Sequence, residues 1–275
     1  MQQFVLAERA MGSILGFVPT MGALHIGHIA LVNQAVEHCD TVVCSIFVNP
    51  IQFNNADDLE NYPRTYEKDI ELLRKSGCKA VFYPEVNEMY PEETKQQYDF
   101  GDIEKGMEGK FRPGHFNGVA IVVKKLFDIV QPHKAYFGEK DFQQLAIIKA
   151  LVRIEKIPVD IEGCATVREN DGLAMSSRNT RLTAEQRKAA PFIYKTLLEV
   201  KKKFPYATPN DISVWVGKEF EKQNEMHLEY FEICDPITLQ PITQKQPLVH
   251  ARACIAVSMG NVRLIDNIGL GEEFL

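Results

Sequence analysis

Thr41 to Val48, TVVCSIFV, leaves little freedom in how this chain can fold. Its apolar residues fall on both alternating faces, and a strand buried on both faces belongs inside a parallel sheet covered by helices. The surrounding segments agree. Ile14 to Val18 reads as a strand and Leu24 to His38 as a helix. PRTYEKDIELLRKSG reads as a further helix, with Pro63 at its start and Gly77 at its stop. Lys79 to Tyr83 reads as a strand, followed by a loop-rich stretch to Pro113. Helices over Asn117 to Val130 and Asp141 to Lys156 flank a short strand, Ala135 to Phe137, and Val159 to Val167 is one more strand. Strands alternating with helices predict right-handed βαβ units and an open parallel α/β sheet. Ligands of such sheets lie beyond the carboxyl ends of the strands, where PTMGALH, NPIQF, FGEKD and the segment after Val167 fall.

The pattern changes after about residue 166. The loop RENDGLAMSSRN leads into a helical stretch from Thr183 to about Phe204. A helix near Ile212 to Asn224 and strand-like LEYFEICD and ARACIAVSMG come next. This predicts two domains, residues 1–165 and a smaller α+β domain over residues 166–275.

Several function classes recede. The net charge of −6 is spread along the 275 residues, so there is no electrostatic footprint for nucleic acid. No apolar run approaches a membrane span, since Lys124 and Lys125 interrupt GVAIVVKKLFDIV. MQQFVLAERA lacks a basic region followed by an apolar stretch. The six cysteines form no Cys-x-x-Cys pair and read as reduced thiols of a cytoplasmic protein. Neither a Walker loop nor a Gly-x-Gly-x-x-Gly fingerprint is present.

Five stretches carry chemistry. His25 and His28, three apart at a helix start, can share a face next to free N–H groups and the positive dipole end, a place suited to phosphate. Gly27 between them permits close approach. The same pair could simply cap the helix. A zinc site would need His-Glu-x-x-His spacing or further ligands, and neither is there. Asn49 and Gln52 in NPIQF are amides able to hold a small polar substrate, or parts of an Asn-Pro turn. Lys140 and Asp141 in FGEKDFQQL open a helix, where a lysine can reach phosphates or simply be solvated. RPGHFNGV places Arg112 and His115 in a glycine-rich loop. DGLAMSSRN packs two hydroxyls and Arg178 into a turn, either a helix cap or a mobile phosphate-binding loop.

In this order, PTMGALHIGH, SIFVNPIQF, YPRT, RPGHFNGV, YFGEKDFQQLAII, DGLAMSSRN and RLIDN resemble the pantothenate synthetase (pantoate–β-alanine ligase) family, from about Gly16 to Asn267. The resemblance implies a Rossmann-like nucleotide domain, a smaller C-terminal domain covering the site, and a homodimer. It implies ATP-dependent joining of pantoate and β-alanine, with Mg²⁺, through an enzyme-bound pantoyl adenylate. Carried over by motif, Met21, Gly22, Ala23, Leu24, His25, Ile26, Gly27 and His28 would contact ATP, with His28 as proton donor. Gly138, Glu139, Lys140, Asp141, Val167, Met175, Ser176, Ser177 and Arg178 would complete the nucleotide site. His25, His28, Lys140 and Arg178 are the catalytic candidates. Gln52 and Gln144 would hold pantoate, with Gln52 also near β-alanine. Family members commonly open with about one strand more, ahead of the helix that here begins near Gln2.

The chemistry suits these residue types. Adenylation develops negative charge on the α-phosphate and on departing pyrophosphate, where preorganised donors are most useful. Amine attack on a mixed anhydride needs no protein nucleophile, and no Ser-His-Asp or Cys-His set is evident. The alternatives are a nucleotidylyltransferase using the same His-x-Gly-His start, which would need cations for a phosphate-bearing acceptor, and a nucleotide-binding regulator without catalysis.

Overall fold

The computed structural model describes residues 1–244 and 250–271. Two compact units emerge. One comprises residues 1–104, 108–139 and 143–167; the other comprises residues 105–107, 140–142 and the chain from Arg168 onward.

The first unit is built on a five-stranded sheet: β1 Leu15–Thr20, β2 Thr41–Ile46, β3 Ala80–Phe82, β4 Lys134–Gly138 and β5 Asp160–Cys164. All neighbours are parallel and the order is β3-β2-β1-β4-β5. This is the open parallel α/β architecture that the alternating pattern predicts. Every residue of β2 is buried, as its two-sided apolar sequence requires. The expected strands to Val48 and Val167 stop earlier because their partners run out: Ile46 pairs with Thr20 at the end of β1, and Cys164 with Gly138 at the end of β4.

The helices of this unit are α1 Gln2–Ala10, α2 Ile26–His38, α3 Ala56–Glu60, α4 Tyr66–Lys75, α5 Val86–Met89, α6 Met107–Phe111, α7 His115–Val130 and α8 Phe142–Glu155, the last two being the longest and α6 and α8 each having its first residue grouped with the second unit. Phe17, Val43 and Ala135 of the sheet pack with Phe116, Val123, Phe127, Ile147 and Leu151 in the larger core. On a second core, Val32 and Ala35 of α2 meet Val18, Val42 and Cys44. Helix α4 starts three residues later than the proline suggests. Thr65 takes the cap position, its carbonyl receiving the Asp69 N–H at 2.9 Å, and Pro63 lies before the helix. Gly77 does lie just past the stop, at φ +82°.

In the second unit, α9 Ala184–Ala189, α10 Phe192–Lys203 and α11 Pro209–Phe220 accompany an antiparallel sheet ordered β6 His227–Cys234, β7 Ala251–Met259 and β8 Val262–Leu270. Ile193, Leu197, Val200, Ile212 and Val216 bury against Ala253, Ile255 and Val257. The single helix expected over Thr183 to Phe204 is two, because Pro191, which has no N–H to give, sits at the break. Strand β8 was not expected from the sequence. No helix among the described residues is long and apolar enough to cross a membrane.

Candidate active site

The sheet order reverses at β1. The chain steps outward from it to β2 and β3, then returns to its other side for β4 and β5. The crevice beyond the carboxyl ends of β1 and β4 is therefore the topological switch point, where open α/β sheets bind ligands.

The loop leaving β1 is tightly held. Thr20 Oγ1 donates to Ser45 O at 2.7 Å and accepts the Gly22 N–H at 3.2 Å. Gly22 and Ala23 both take left-handed backbone angles, φ +82° and +49°. A Cβ on Gly22 would meet Ile46 Cγ2 at 3.1 Å and Asp69 Oδ2 at 3.2 Å, a tight fit added to a backbone conformation that favours glycine. Asp69 of α4, 1% exposed, clamps the next two residues: its Oδ2 accepts from Ala23 N at 2.9 Å and its Oδ1 from Leu24 N at 2.8 Å. Thr65 Oγ1 donates to Oδ1 at 3.0 Å. Asp69 does not stand out in the sequence, where it looks like one acid among several on a helix.

His25 then caps α2. Its Nδ1 accepts the Gly27 N–H at 3.1 Å, while His28 Nδ1 accepts the His25 N–H at 3.3 Å. The ring centroids lie 4.1 Å apart. The capping and phosphate-binding readings of this pair are thus compatible. A nitrogen that accepts carries no proton, so each neutral ring bears its hydrogen on Nε2. Capping the helix is what sets the tautomer in which both rings are donors through their far nitrogens.

NPIQF forms a turn after β2 with Asn49 and Gln52 buried and Ile51 exposed. Asn49 is spent internally: Nδ2 donates to Gln52 Oε1 at 3.0 Å and to Gly118 O at 3.1 Å, and Oδ1 accepts from Tyr90 OH at 2.7 Å. Of the two readings open for Asn49, substrate amide or turn residue, these bonds favour the turn. Gln52 Nε2 donates to Met21 Sδ at 3.1 Å, which brings the pantoate candidate to the loop leaving β1. Arg112 and His115 serve the same turn. His115 Nδ1 donates to Gln52 O at 2.9 Å, leaving Nε2 to accept from Arg112 Nη1 at 3.1 Å. Gly118 lets α7 pack directly on the turn, since a Cβ there would lie 2.5 Å from Ile51 O.

Gly138 and Glu139 end β4 at the crevice. In α8 the two adjacent glutamines diverge. Gln143 is buried and bonded to Glu108 N and Ile103 O, both at 2.9 Å, whereas the half-buried Gln144 side chain makes no hydrogen bond among the described residues. Val167 is the last residue of the first unit and is half-buried.

Lys140 and Asp141 group with the second unit, their side chains 3.3 Å apart. The Lys140 carbonyl accepts from Asn267 Nδ2 at 2.9 Å. Met175 and Arg178 are half-buried and Ser177 is buried. Ser176 Oγ accepts the Arg178 N–H at 3.2 Å and caps a short 3₁₀ turn, Ser177–Arg181. This loop is tied down from behind. Asn179 Nδ2 donates to Ala174 O at 3.0 Å, and Arg168 forks onto Asp266 at 2.7 and 3.0 Å while stacking 3.6 Å over the Tyr194 ring. Burial pushes the Asp266 carboxyl above its ordinary value, and the guanidinium opposes that rise. The Asp-Asn of RLIDN thus holds both the stem of the Ser-Ser-Arg loop and the Lys140 backbone in place.

A parallel sheet whose switch point carries two imidazole donors at a helix start defines a nucleotide-binding α/β enzyme. Residues 1–269 match the family described as pantoate-β-alanine ligase. The chain is 51% identical to pantothenate synthetase of Porphyromonas gingivalis, covering 98% of this chain and 95% of that one. It is 52% identical to the enzyme of that name from Flavobacterium psychrophilum, over 93% and 92% of the two chains. Among solved structures, pantothenate synthetase from Thermus thermophilus superposes with a TM-score of 0.89 at 43% identity, covering 96% of each chain. A pantoate-β-alanine ligase from Francisella tularensis, complexed with β,γ ATP and β-alanine, gives 0.80 at 36%, covering 97% and 94%. The chain belongs to the pantoate–β-alanine ligase family. These likenesses favour the ligase over the nucleotidylyltransferase alternative.

Proposed function

We propose that this enzyme condenses pantoate with β-alanine at the expense of ATP, giving pantothenate, AMP and pyrophosphate through a pantoyl adenylate. The observation that carries the reading is the imidazole pair at the start of α2, each ring with Nδ1 engaged by a backbone N–H. The pantoate carboxylate attacks the α-phosphorus and the bond to pyrophosphate breaks. Donors fixed in advance stabilise the charge that develops there. The amine of β-alanine then attacks the acyl carbon and AMP leaves.

In this reading His28 is the proton donor and His25 its neighbour, with Met21 to Leu24, Ile26, Gly27, Gly138, Glu139, Asp141, Val167, Met175, Ser176 and Ser177 lining ATP. Lys140 and Arg178 supply the cations for its phosphates. Gln52 and Gln144 hold pantoate, and Gln52 also lies near β-alanine. Among the described residues no group of three or more His, Cys, Asp or Glu side chains could hold a metal. Mg²⁺ would enter with the phosphates of ATP, where it offsets their charge. The same reading makes the enzyme a cytoplasmic homodimer.

The test is pyrophosphate exchange. Pantoate and MgATP alone should support exchange, and adding β-alanine should release AMP and pantothenate in equal amounts. An absolute need for β-alanine in the exchange, or ADP as the nucleotide product, would overturn the adenylate route.

A further inference from the structure

The amide of Gln52 has its direction fixed by groups behind the pocket. Gly118 O is a backbone carbonyl and can only accept, so the edge of Asn49 lying 3.1 Å from it is Nδ2. Oδ1 then faces the other way, toward the Tyr90 hydroxyl, which donates to it at 2.7 Å. Nδ2 also donates to Gln52 Oε1 at 3.0 Å. The oxygen of Gln52 is consumed by Asn49, and its nitrogen faces Met21, with one N–H on Sδ and no other hydrogen-bond partner among the described residues. The Gln52 backbone is pinned as well, through its carbonyl, by His115 at 2.9 Å.

Asn49 is 1% exposed and Gln52 8%. Turning either amide round would oppose two donors or two acceptors away from water, which costs more than the bond itself contributes. Burial raises the Tyr90 phenol well above its ordinary value, so it remains a neutral donor at any working pH. Phe47 packs beside its ring at 6.1 Å and Lys125 Nζ lies 5.5 Å over it.

We infer that Tyr90 is a positioning residue that, through Asn49, locks Gln52 as a donor, so that the pocket selects an acid offering an acceptor oxygen at that point. The inference rests on the placement of pantoate at Gln52 proposed above. Tyr90 touches no substrate and acts through two amides.

Steady-state kinetics on Tyr90→Phe, Gln52→Ala and the double variant, with thermal midpoints measured alongside, test it. Tyr90→Phe should raise KM for pantoate about 2- to 10-fold, the loss of one hydrogen bond, with KM for ATP nearly unchanged. In the Gln52→Ala background the same change should add nothing to KM for pantoate, because the amide it orients is gone. An unaltered KM in Tyr90→Phe, or effects that simply add in the double variant, overturns the lock while leaving the substrate placement standing. If Gln52→Ala alone leaves KM for pantoate unaltered, the placement itself is wrong and the lock falls with it. Gln52→Glu gives an independent reading should Tyr90→Phe fold poorly. It keeps an acceptor for Asn49 and turns an oxygen outward, so pantoate should bind more weakly than to Gln52→Ala. Equal or tighter binding refutes the inference.

Discussion

Replacing Asp69 with asparagine should break the loop that follows β1 at one defined bond. Asp69 Oδ1 receives two donors, Leu24 N at 2.8 Å and Thr65 Oγ1 at 3.0 Å, whereas Oδ2 receives Ala23 N alone among the described residues, at 2.9 Å. An asparagine keeps its oxygen where two donors converge and sets its NH₂ against the Ala23 N–H. A hydrogen bond to a charged group contributes about 1.5–3 kcal/mol. Ala23 at φ +49° stores roughly 1–2 kcal/mol that this bond helps to hold. Released, the residue relaxes toward negative φ and carries His25, two positions on, away from its place. Misplacement of reacting groups by about 1 Å costs on the order of a hundredfold in rate. Pyrophosphate exchange should therefore fall by about that factor, and the thermal midpoint of the first unit by about 3–12 °C. Adding Ala23→Gly, which adopts positive φ without strain, should recover part of the exchange. Wild-type exchange and midpoint in Asp69→Asn would refute the clamp; no recovery with glycine would refute the part assigned to strain.

His28→Ala should lower exchange roughly a hundred- to a thousandfold, the usual cost of one donor at developing charge, while circular dichroism shows the fold intact. A folded variant with near-normal turnover would remove His28 from the chemistry. Lys140→Ala and Arg178→Ala should each slow exchange about tenfold or more at saturating ATP, since each would remove a cation from the phosphates; wild-type rates in both would exclude them from that role.

What the sequence makes legible is what neighbouring residues decide. The buried character of β2 comes from its own two faces, and all six of its positions are buried. Three-residue spacing brings His25 and His28 ring to ring at the helix start. Strand β8, Val262–Leu270, escapes notice because Arg263, Asp266 and Asn267 break its apolar pattern. Those polar residues are spent on Glu229, Arg168, Arg252 and the Lys140 carbonyl, partners the local sequence does not display.

The same distinction runs through the candidate site. Residues at loop tips announce themselves by type and spacing, but the groups that hold them come from far along the chain. Asp69 reaches back 45 residues to Leu24, Tyr90 reaches 41 to Asn49, and Asn49 reaches 69 to Gly118. None could be paired from one sequence, because a helix acid and a loop tyrosine are common and their targets are backbone groups or amides. Yet the need for them is implied by the loop. Two consecutive left-handed residues ahead of a helix start leave backbone N–H groups turned inward with no ladder to join. A buried carboxylate answers that need here, and it answers it from a strand–helix unit packed beside β1. The imidazoles are therefore placed by the sheet, through Asp69, as much as by their own helix.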